Sequence, residues 1–224
     1  MTRFACIAVL AISAGCTGTE VGNPVVDIDF ELSNRGEVTA ARLAVERVRL
    51  RPAADCNGST ELDIPGPFVI DLFIATPLPE LSDLEVSEAG YCRFEVKWGG
   101  ADELGGASMV FGGTRASDGT PFELTSVRSD ELRLDAVDTQ FPIDDATNAL
   151  FVAFDGNGLF ADVDLEGADV DPDGTIYIDD TSNPDLLDAF EGNVDAATQL
   201  FDDDDDDDGQ LDDDERDPDD VLAE

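Results

Sequence analysis

Residues 201 to 220 hold the densest set of metal-ligating side chains in the sequence. The stretch reads FDDDDDDDGQLDDDERDPDD, in which fourteen acidic residues follow Phe201 and Arg216 is the only cation. Oxygen-bearing residues occur at alternate positions around Gly209 and end at Glu215. The candidate ligands are Asp204, Asp206, Asp208, Gln210, Asp212 and Glu215. Calcium takes about six to eight oxygen ligands in flexible geometry, so this spacing predicts a calcium-binding loop.

The spacing resembles the EF-hand loop, which needs a glycine at its sharp turn and a glutamate at its closing position. Seven consecutive aspartates would fill alternate ligand positions in any register. The evidence for an EF-hand-like loop therefore rests on Gly209, Leu211 and Glu215. The resemblance implies that Gln210 binds through its backbone carbonyl and that Glu215 supplies two oxygens. The alternative is a solvated acidic tail that attracts counterions diffusely. Neighbouring carboxylates about 3.3 Å apart repel by roughly 1 kcal/mol even in water, and a divalent cation relieves that repulsion.

A second candidate loop lies in the stretch DVDPDGTIYIDD. Its candidate ligands are Asp169, Asp171, Asp173, Thr175 and Asp180. Asp180 stands where the EF-hand has glutamate and is one methylene shorter, which weakens bidentate closure. The preceding residues have the composition of a strand, so this would be a calcium turn on a sheet. The alternative is an acidic turn that joins two strands.

Overall charge and composition exclude several functional classes. The 224-residue chain has 53 acidic and 12 basic side chains, no His and a net charge of -41. Such a field repels nucleic acid and attracts cations or basic partners. Without His the usual Ser and Cys catalytic triads are missing, and no nucleotide-binding or nucleophile motif is present. We therefore expect a protein that is not an enzyme, with a hydrolase based on two carboxylates as a remote alternative.

The first residues predict export. Residues 1–15 form a signal peptide with a cation at Arg3 and an apolar run. The segment from Ser13 to Cys16 resembles a bacterial lipobox, which implies that Cys16 is acylated and anchors the chain to a membrane through a lipidated tether, residues 16–23. Thr17, in place of Asp, favours the outer membrane or cell surface. The alternative is a plain secretory signal cut after Gly15.

Two further cysteines, Cys56 and Cys92, remain in the exported chain. In an oxidising compartment they predict one disulfide, and two independent buried thiols are the alternative.

Residues 24–182 are predicted to form a mainly β, antiparallel sandwich domain. Short runs such as PVVDIDFEL and CRFEVKW alternate apolar and polar residues with the period of a half-buried strand. The run LAVERVRL changes phase once, which predicts a β-bulge. Residues 183–201 are predicted to form one helix, with Asn183 as its cap and Pro184 in its first turn. Residues 202–224 would then be an acidic tail.

The segments LAVERVRLRPAADC, VIDLF and LPELSDLEVSEAGYCRFEVKW resemble a β-rich domain of unknown function found in bacterial lipoproteins. The shared positions are Asp71-Leu72 and Gly90-Tyr91. The resemblance implies an immunoglobulin- or transthyretin-like sandwich and no known activity.

Together these features predict a non-enzymatic lipoprotein of the bacterial envelope, with calcium-binding acidic loops and a structural or adhesive role. The alternative is a module that binds carbohydrate or a basic protein, with calcium at the ligand site. An exposed aromatic cluster at Tyr91 or Trp98 would favour that alternative. Four arginines in one predicted strand would form an anion-binding patch or balance nearby carboxylates: Arg42, Arg47, Arg49 and Arg51.

Overall fold

The computed structural model describes residues 23–224 except 59, 75–77, 203–210, 212–215 and 217–220. The described chain is mainly β. The strands are β1 (Val25–Ser33), β2 (Val38–Pro52), β3 (Leu62–Asp71), β4 (Leu84–Glu85), β5 (Ala89–Trp98), β6 (Met109–Thr114), β7 (Pro121–Ser126), β8 (Glu131–Asp135), β9 (Phe141–Ile143), β10 (Ala149–Asp155), β11 (Ile176–Ile178) and β12 (Thr198–Phe201). The helices are α1 (Gly156–Leu159) and α2 (Pro184–Asn193).

The strands form two sheets. One has four strands in the order β12-β10-β1-β4, and the other has the order β11-β7-β6-β2-β5-β8, with β3 on β2 and β9 on β5. Most neighbouring strands pair antiparallel, as predicted, but β1 pairs with β10 and β11 pairs with β7 in parallel. Parallel neighbours need a long crossover connection, and more than a hundred residues separate β1 from β10. Local alternation along a strand carries no information on such distant partners.

The core lies between the two sheets and is built by the predicted alternation. Val26, Ile28 and Phe30 of β1 are buried on one face, with less buried acidic residues between them. Trp98 of β5 is fully buried, and its ring centroid lies 6.3 Å from that of Phe154 in β10. Because these two strands belong to different sheets, the aromatic pair joins the two layers across the core.

Two local predictions are confirmed. The pairing of β2 changes register between Val45 and Arg47 against both β3 and β5, which is the predicted bulge. Cys56 and Cys92 form a disulfide, with their Cα atoms 6.0 Å apart. Cys92 belongs to β5 and Cys56 directly follows the turn after β2, so the disulfide closes one end of neighbouring strands of the same sheet.

The helix predicted over residues 183–201 is shorter than expected. It ends at Asn193, and Thr198–Phe201 is strand β12, paired with β10. Leu200 points into the main core while Phe201 packs on the opposite side of the sheet, so apolar residues occupy both faces of this strand. That arrangement produces consecutive apolar residues, which sequence periodicity alone assigns equally well to a helix.

Asn183 precedes the helix but does not cap it with its side chain. Its backbone is left-handed, with φ of 50°, and its amide instead bonds the carbonyl oxygens of Asp169 and Tyr177. Asn183 therefore fastens the preceding loop to the start of α2.

Candidate functional site

The acidic stretch is tied into the fold at its far end. The N–H of Leu222 donates to the carbonyl of Leu200 at 2.8 Å, and the N–H of Leu200 donates to the carbonyl of Ala223 at 2.9 Å. On the other side, Glu224 and Asp135 exchange two backbone hydrogen bonds of 3.0 and 3.1 Å. Residues 221–224 thus join β12 of one sheet to β8 of the other. The last four residues of the predicted acidic tail, 221–224, are therefore hydrogen-bonded to both sheets.

Leu211 anchors the middle of that loop. Its side chain is 2% exposed and packs in a small cluster with Phe151 and Phe201 on the outer face of the four-stranded sheet. Ala149 and Ala153 complete the buried members, and Val221 packs against them. An apolar residue within a solvated acidic run would be exposed, so the burial of Leu211 shows that this residue is docked on the sheet.

Glu31 of β1 is the polar anchor beside this cluster. Its carboxylate accepts a hydrogen bond from the backbone N–H of Leu211 and another from Nη2 of Arg216, at 2.8 Å. Burial raises the pKa of Glu31, and the bonds to Arg216 and Leu211 oppose that rise. One carboxylate therefore holds two points of the loop, on either side of residues 212–215.

A row of acidic residues on β1 shares the sheet face on which Leu211 packs. Asp27, Asp29 and Glu31 pair with Ala149, Phe151 and Ala153 of β10 and share their face of the sheet. Partial burial, with the charges of Asp27 and Glu31, raises the pKa of Asp29 to about 6. Leu211 therefore packs on a sheet face that carries three acidic residues of its own.

The six predicted ligands of this loop, Asp204, Asp206, Asp208, Gln210, Asp212 and Glu215, lie outside the described residues. Cys16, the predicted lipidation site, also lies outside them. What the structure establishes for the loop is the position of Leu211 and Arg216, which lie within and directly after the predicted ligand set. Sequence reasoning missed Glu31, because the alternation in PVVDIDFEL predicts its outward direction but not its partners.

The second candidate loop forms a closed acidic turn. The carboxylate of Asp173 accepts hydrogen bonds from the N–H of Thr175 and the hydroxyl of Tyr177, both at 2.9 Å, and these bonds lower its pKa. Asp171 and Thr175 are joined by a 2.9 Å backbone bond, and Gly174 turns the chain with φ of 91°. The turn leads directly into β11, but the residues before it, 159–168, form no strand, so the expectation of a strand on both sides of the turn was wrong.

The predicted ligands of this second loop do not point to one common site. Asp169 and Asp171 line a cleft of about 510 Å³ together with Asp164 and Asp185, whereas Asp173 binds within its own turn and Asp180 is exposed. Within the part of the chain that the structure describes, no three acidic or Cys side chains are arranged to hold a metal ion.

Three of the four arginines of β2 balance carboxylates, and the fourth, Arg42, is exposed. Arg47 and Arg49 pair with Asp63, and Arg51 bonds Glu95 at 2.9 Å. Glu95 is 3% exposed and lies within ion-pair distance of three arginines, namely Arg49, Arg51 and Arg93. This network compensates the charge of the nearly buried Glu95 carboxylate, and its arginines are already paired with acidic residues.

Tyr91 and Trp98 are both fully buried. The hydroxyl of Tyr91 donates to the carbonyl of Ser87 at 2.7 Å, and burial raises its pKa to about 12. Neither ring is available to stack on a sugar, which removes the feature that would have favoured a carbohydrate-binding module.

No family of known proteins, no curated protein and no solved structure shows a significant match to this chain. Among the described helices, none is long and apolar enough to cross a membrane.

Proposed function

We propose that residues 204–215 bind calcium and that the bound ion fastens the acidic loop onto the sandwich of a non-enzymatic, lipid-anchored envelope protein. The observation that carries this proposal is the double anchoring by Glu31, which bonds both Leu211 and Arg216. Leu211 follows the predicted turn glycine and Arg216 directly follows the closing Glu215. A loop held at these two points is constrained in the region where the ligands would converge.

The acidic stretch crowds many negative charges into a short part of the chain. Residues 202–220, fourteen of them acidic, connect β12 to the hydrogen-bonded residues 221–224. Leu211 of this stretch packs on the sheet face that carries Asp27, Asp29 and Glu31. Confinement prevents the carboxylates from separating as they would in a free tail, so their repulsion opposes docking of Leu211. A divalent cation with oxygen ligands offsets that repulsion. Extracellular calcium modules of this charge bind with a Kd on the order of 10⁻⁴ to 10⁻³ M.

Export and lipid anchoring rest on the first sixteen residues and are supported by the Cys56–Cys92 disulfide, which is typical of proteins in oxidising compartments. The test is the substitution Cys16→Ser, which is expected to move the protein from the membrane fraction to the soluble fraction. A wild-type protein that is already wholly soluble would contradict the anchor.

The immunoglobulin- or transthyretin-like arrangement is part of the same proposal. It is supported by two sheets that enclose one core around a buried tryptophan on β5. The disulfide differs from that of antibody domains, because it lies within one sheet and does not join the two.

Binding of a basic protein through the calcium loop is the second candidate function. The net charge of -41 supports this candidate, because such a charge attracts cationic surfaces. Calcium would then neutralise part of the charge that the partner recognises, so calcium and a basic partner would weaken each other's binding.

The test of the proposed function is a calcium titration of the purified protein in 0.15 M salt, with magnesium as the control ion. Specific binding predicts a saturable isotherm for calcium and a higher melting temperature, about 1 kcal/mol of stabilisation at five times Kd. Diffuse attraction of counterions by the acidic residues predicts that calcium and magnesium have equal effects. Both effects would then decrease as the salt concentration is raised. That second outcome would contradict the calcium loop.

A further inference from the structure

A cleft separate from the acidic loop lies at one end of the sandwich. It has a volume of about 350 Å³ and is bordered by the β1–β2 turn, the β6–β7 hairpin and α1. Its floor is apolar and is formed by Val38, Phe122, Phe160 and Val163. Phe160 is only partly buried, and its ring centroid lies 5.6 Å from that of Phe122. Pockets of this size with an apolar floor and a few polar groups suit small organic ligands.

Arg35, at the β1–β2 turn, directs its charge away from the cleft. Its Nε donates to the carbonyl of Leu32 at 3.1 Å, and its guanidinium carbon lies 4.5 Å from the centre of the Phe73 ring. Neither Leu32 nor Phe73 lines the cleft. The positive charge of Arg35 also stabilises the carboxylate of Glu31, which lies outside the cleft as well. Arg35 is therefore held by groups that a ligand in the cleft would not contact.

Arg115, on the β6–β7 hairpin, is also engaged. Its guanidinium bonds both carboxylate oxygens of Asp118, the hydroxyl of Thr120 and the carbonyl of Leu165. The hydrogen bonds to Asp118 are the main reason why the pKa of Arg115 is raised, and the charge of Glu166 adds a smaller attraction. Because Asp118 does not line the cleft, the charge of Arg115 is compensated by a group outside it.

Three carboxylates define the charge of the rim. Glu37, Asp164 and Glu166 line the cleft, and all three residues are exposed. Glu166 accepts a hydrogen bond from the hydroxyl of Ser117, and Asp164 accepts one from the N–H of Gly167, so each is positioned by a neutral donor. Within the described part of the chain, no arginine or lysine forms a salt bridge with any of the three. The rim therefore carries negative charge that a cationic ligand would neutralise.

An apolar floor under a negative rim selects two properties of a ligand together. A metal ion or a fully polar cation would leave the floor uncovered, and a neutral apolar compound would leave the rim charge uncompensated. An anion would be repelled. An ammonium group on an aromatic or alkyl body satisfies both parts of the cleft.

We propose that this cleft binds a small amphipathic ammonium compound, with the ammonium group among Glu37, Asp164 and Glu166 and the apolar body on Phe160 and Phe122. The volume accommodates one aromatic ring with a short alkyl linker. The complementarity of charge at the rim and the partly exposed aromatic floor carry the proposal. It does not rest on the calcium loop, and its test is performed with and without calcium.

The experiment measures binding of phenylpropylamine to the purified protein by calorimetry and by NMR, at physiological salt concentration. Phenylpropanol and phenylpropanoate are the neutral and anionic analogues of similar shape, and propylamine has the charge without the ring. A double variant with Glu37→Gln and Glu166→Gln removes two charges from the rim. The matched control is a double variant with Glu80→Gln and Glu103→Gln, which removes the same charge at exposed glutamates outside the cleft.

The expected result is saturable binding of phenylpropylamine, with nuclear Overhauser contacts between its ring and the methyl groups of Val38 and Val163. The rim variant should bind it about five- to tenfold more weakly, as expected for the loss of two solvent-exposed ion pairs. The control variant should differ from wild type by less than about twofold. Phenylpropanol and propylamine should each bind at least about fivefold more weakly than phenylpropylamine, because each lacks one of the two interactions.

Several outcomes would overturn the proposal. Equal binding of the amine and the alcohol, or tighter binding of phenylpropanoate, would show that the rim does not select a cation. Equal binding of propylamine and phenylpropylamine would show that the floor is not used. Equal affinities of the two double variants would mean that the amine responds only to the overall charge of the protein. The melting temperatures of both variants should not fall below that of wild type, so that weaker binding reports the loss of the rim charges.

Discussion

Glu31 and Arg216 lie 185 positions apart in the chain and are joined by an ion pair of 2.8 Å. Glu31 is near the end of β1, and Arg216 directly follows the predicted calcium ligands. Because both side chains are about one-fifth exposed, the pair is partly shielded from solvent. It couples the acidic loop to a strand at the centre of the four-stranded sheet.

We predict that this pair contributes a measurable coupling energy. In a double-mutant cycle with Glu31→Gln and Arg216→Gln, the coupling should be about 0.5 to 1.5 kcal/mol in the free energy of unfolding, above the value for a fully exposed pair. Urea denaturation of the four proteins provides the measurement. A coupling of zero would mean that the loop is not held by Glu31 in solution.

Leu211→Ala tests the apolar anchor. Leu211 is 2% exposed among Phe151 and Phe201, so truncation should lower the free energy of unfolding by about 2 to 3 kcal/mol. The same truncation at Val170, which is 46% exposed, is the control and should change it by less than about 0.5 kcal/mol. If the Leu211 variant behaves like the Val170 variant, the stretch is a solvated tail.

The stability of the protein should depend on pH through Asp29. Its pKa is raised to about 6 in the folded state, from 3.8, because of burial and the neighbouring charges of Asp27 and Glu31. Between these two pH values the folded protein binds more protons at Asp29 than the unfolded chain does. The contribution of Asp29 to stability therefore falls as pH rises from about 4 to 6.

The variant Asp29→Asn should remove this part of the pH dependence. In calcium-free buffer we expect it to raise the free energy of unfolding at pH 7 relative to wild type, by about 1 kcal/mol after allowing for solvent screening. Near pH 4 the two proteins should be similar, because the wild-type carboxyl is then protonated. Denaturant melts at both pH values measure the difference, and an identical difference at the two values would refute the assignment.

The disulfide should contribute strongly to stability. Cys56 and Cys92 close a separation of 36 residues, for which the chain-entropy estimate is about 3 to 4 kcal/mol. The double variant with Ser at both positions should lose a stabilisation of that order in urea melts. Equal stability of the two proteins would show that the cross-link restricts the unfolded chain little.

Much of the β architecture follows from local patterns. The alternation in residues 25–33 and 89–98 predicts strands and their buried faces, and the phase change around Glu46 predicts the bulge. The disulfide follows from the two cysteines that remain after the predicted signal peptide and lipobox. In each case the signal lies within a few residues or in the composition.

The pairing of distant segments could not be predicted in this way. The parallel pair of β1 and β10, and the insertion of Ala223 between Leu200 and Ala136, depend on contacts between remote positions. The same limit applies to the site. Leu211 is conspicuous in the sequence as an apolar residue among aspartates. Its packing against Phe151 and Phe201 and the contacts of Glu31 depend on the tertiary fold, so the sequence does not predict them.

The most direct measurement of the central claim is calcium calorimetry in 0.15 M salt on wild type, Gly209→Val, Glu215→Gln and Asp219→Asn. Glu215→Gln and Asp219→Asn each remove one negative charge, but only the first removes a predicted ligand. Specific coordination predicts that Glu215→Gln and Gly209→Val each weaken binding by about tenfold or more, since they remove the bidentate closing group and the sharp turn. Asp219→Asn should retain the wild-type isotherm. Four equal isotherms would contradict a calcium loop and leave only a diffuse acidic field.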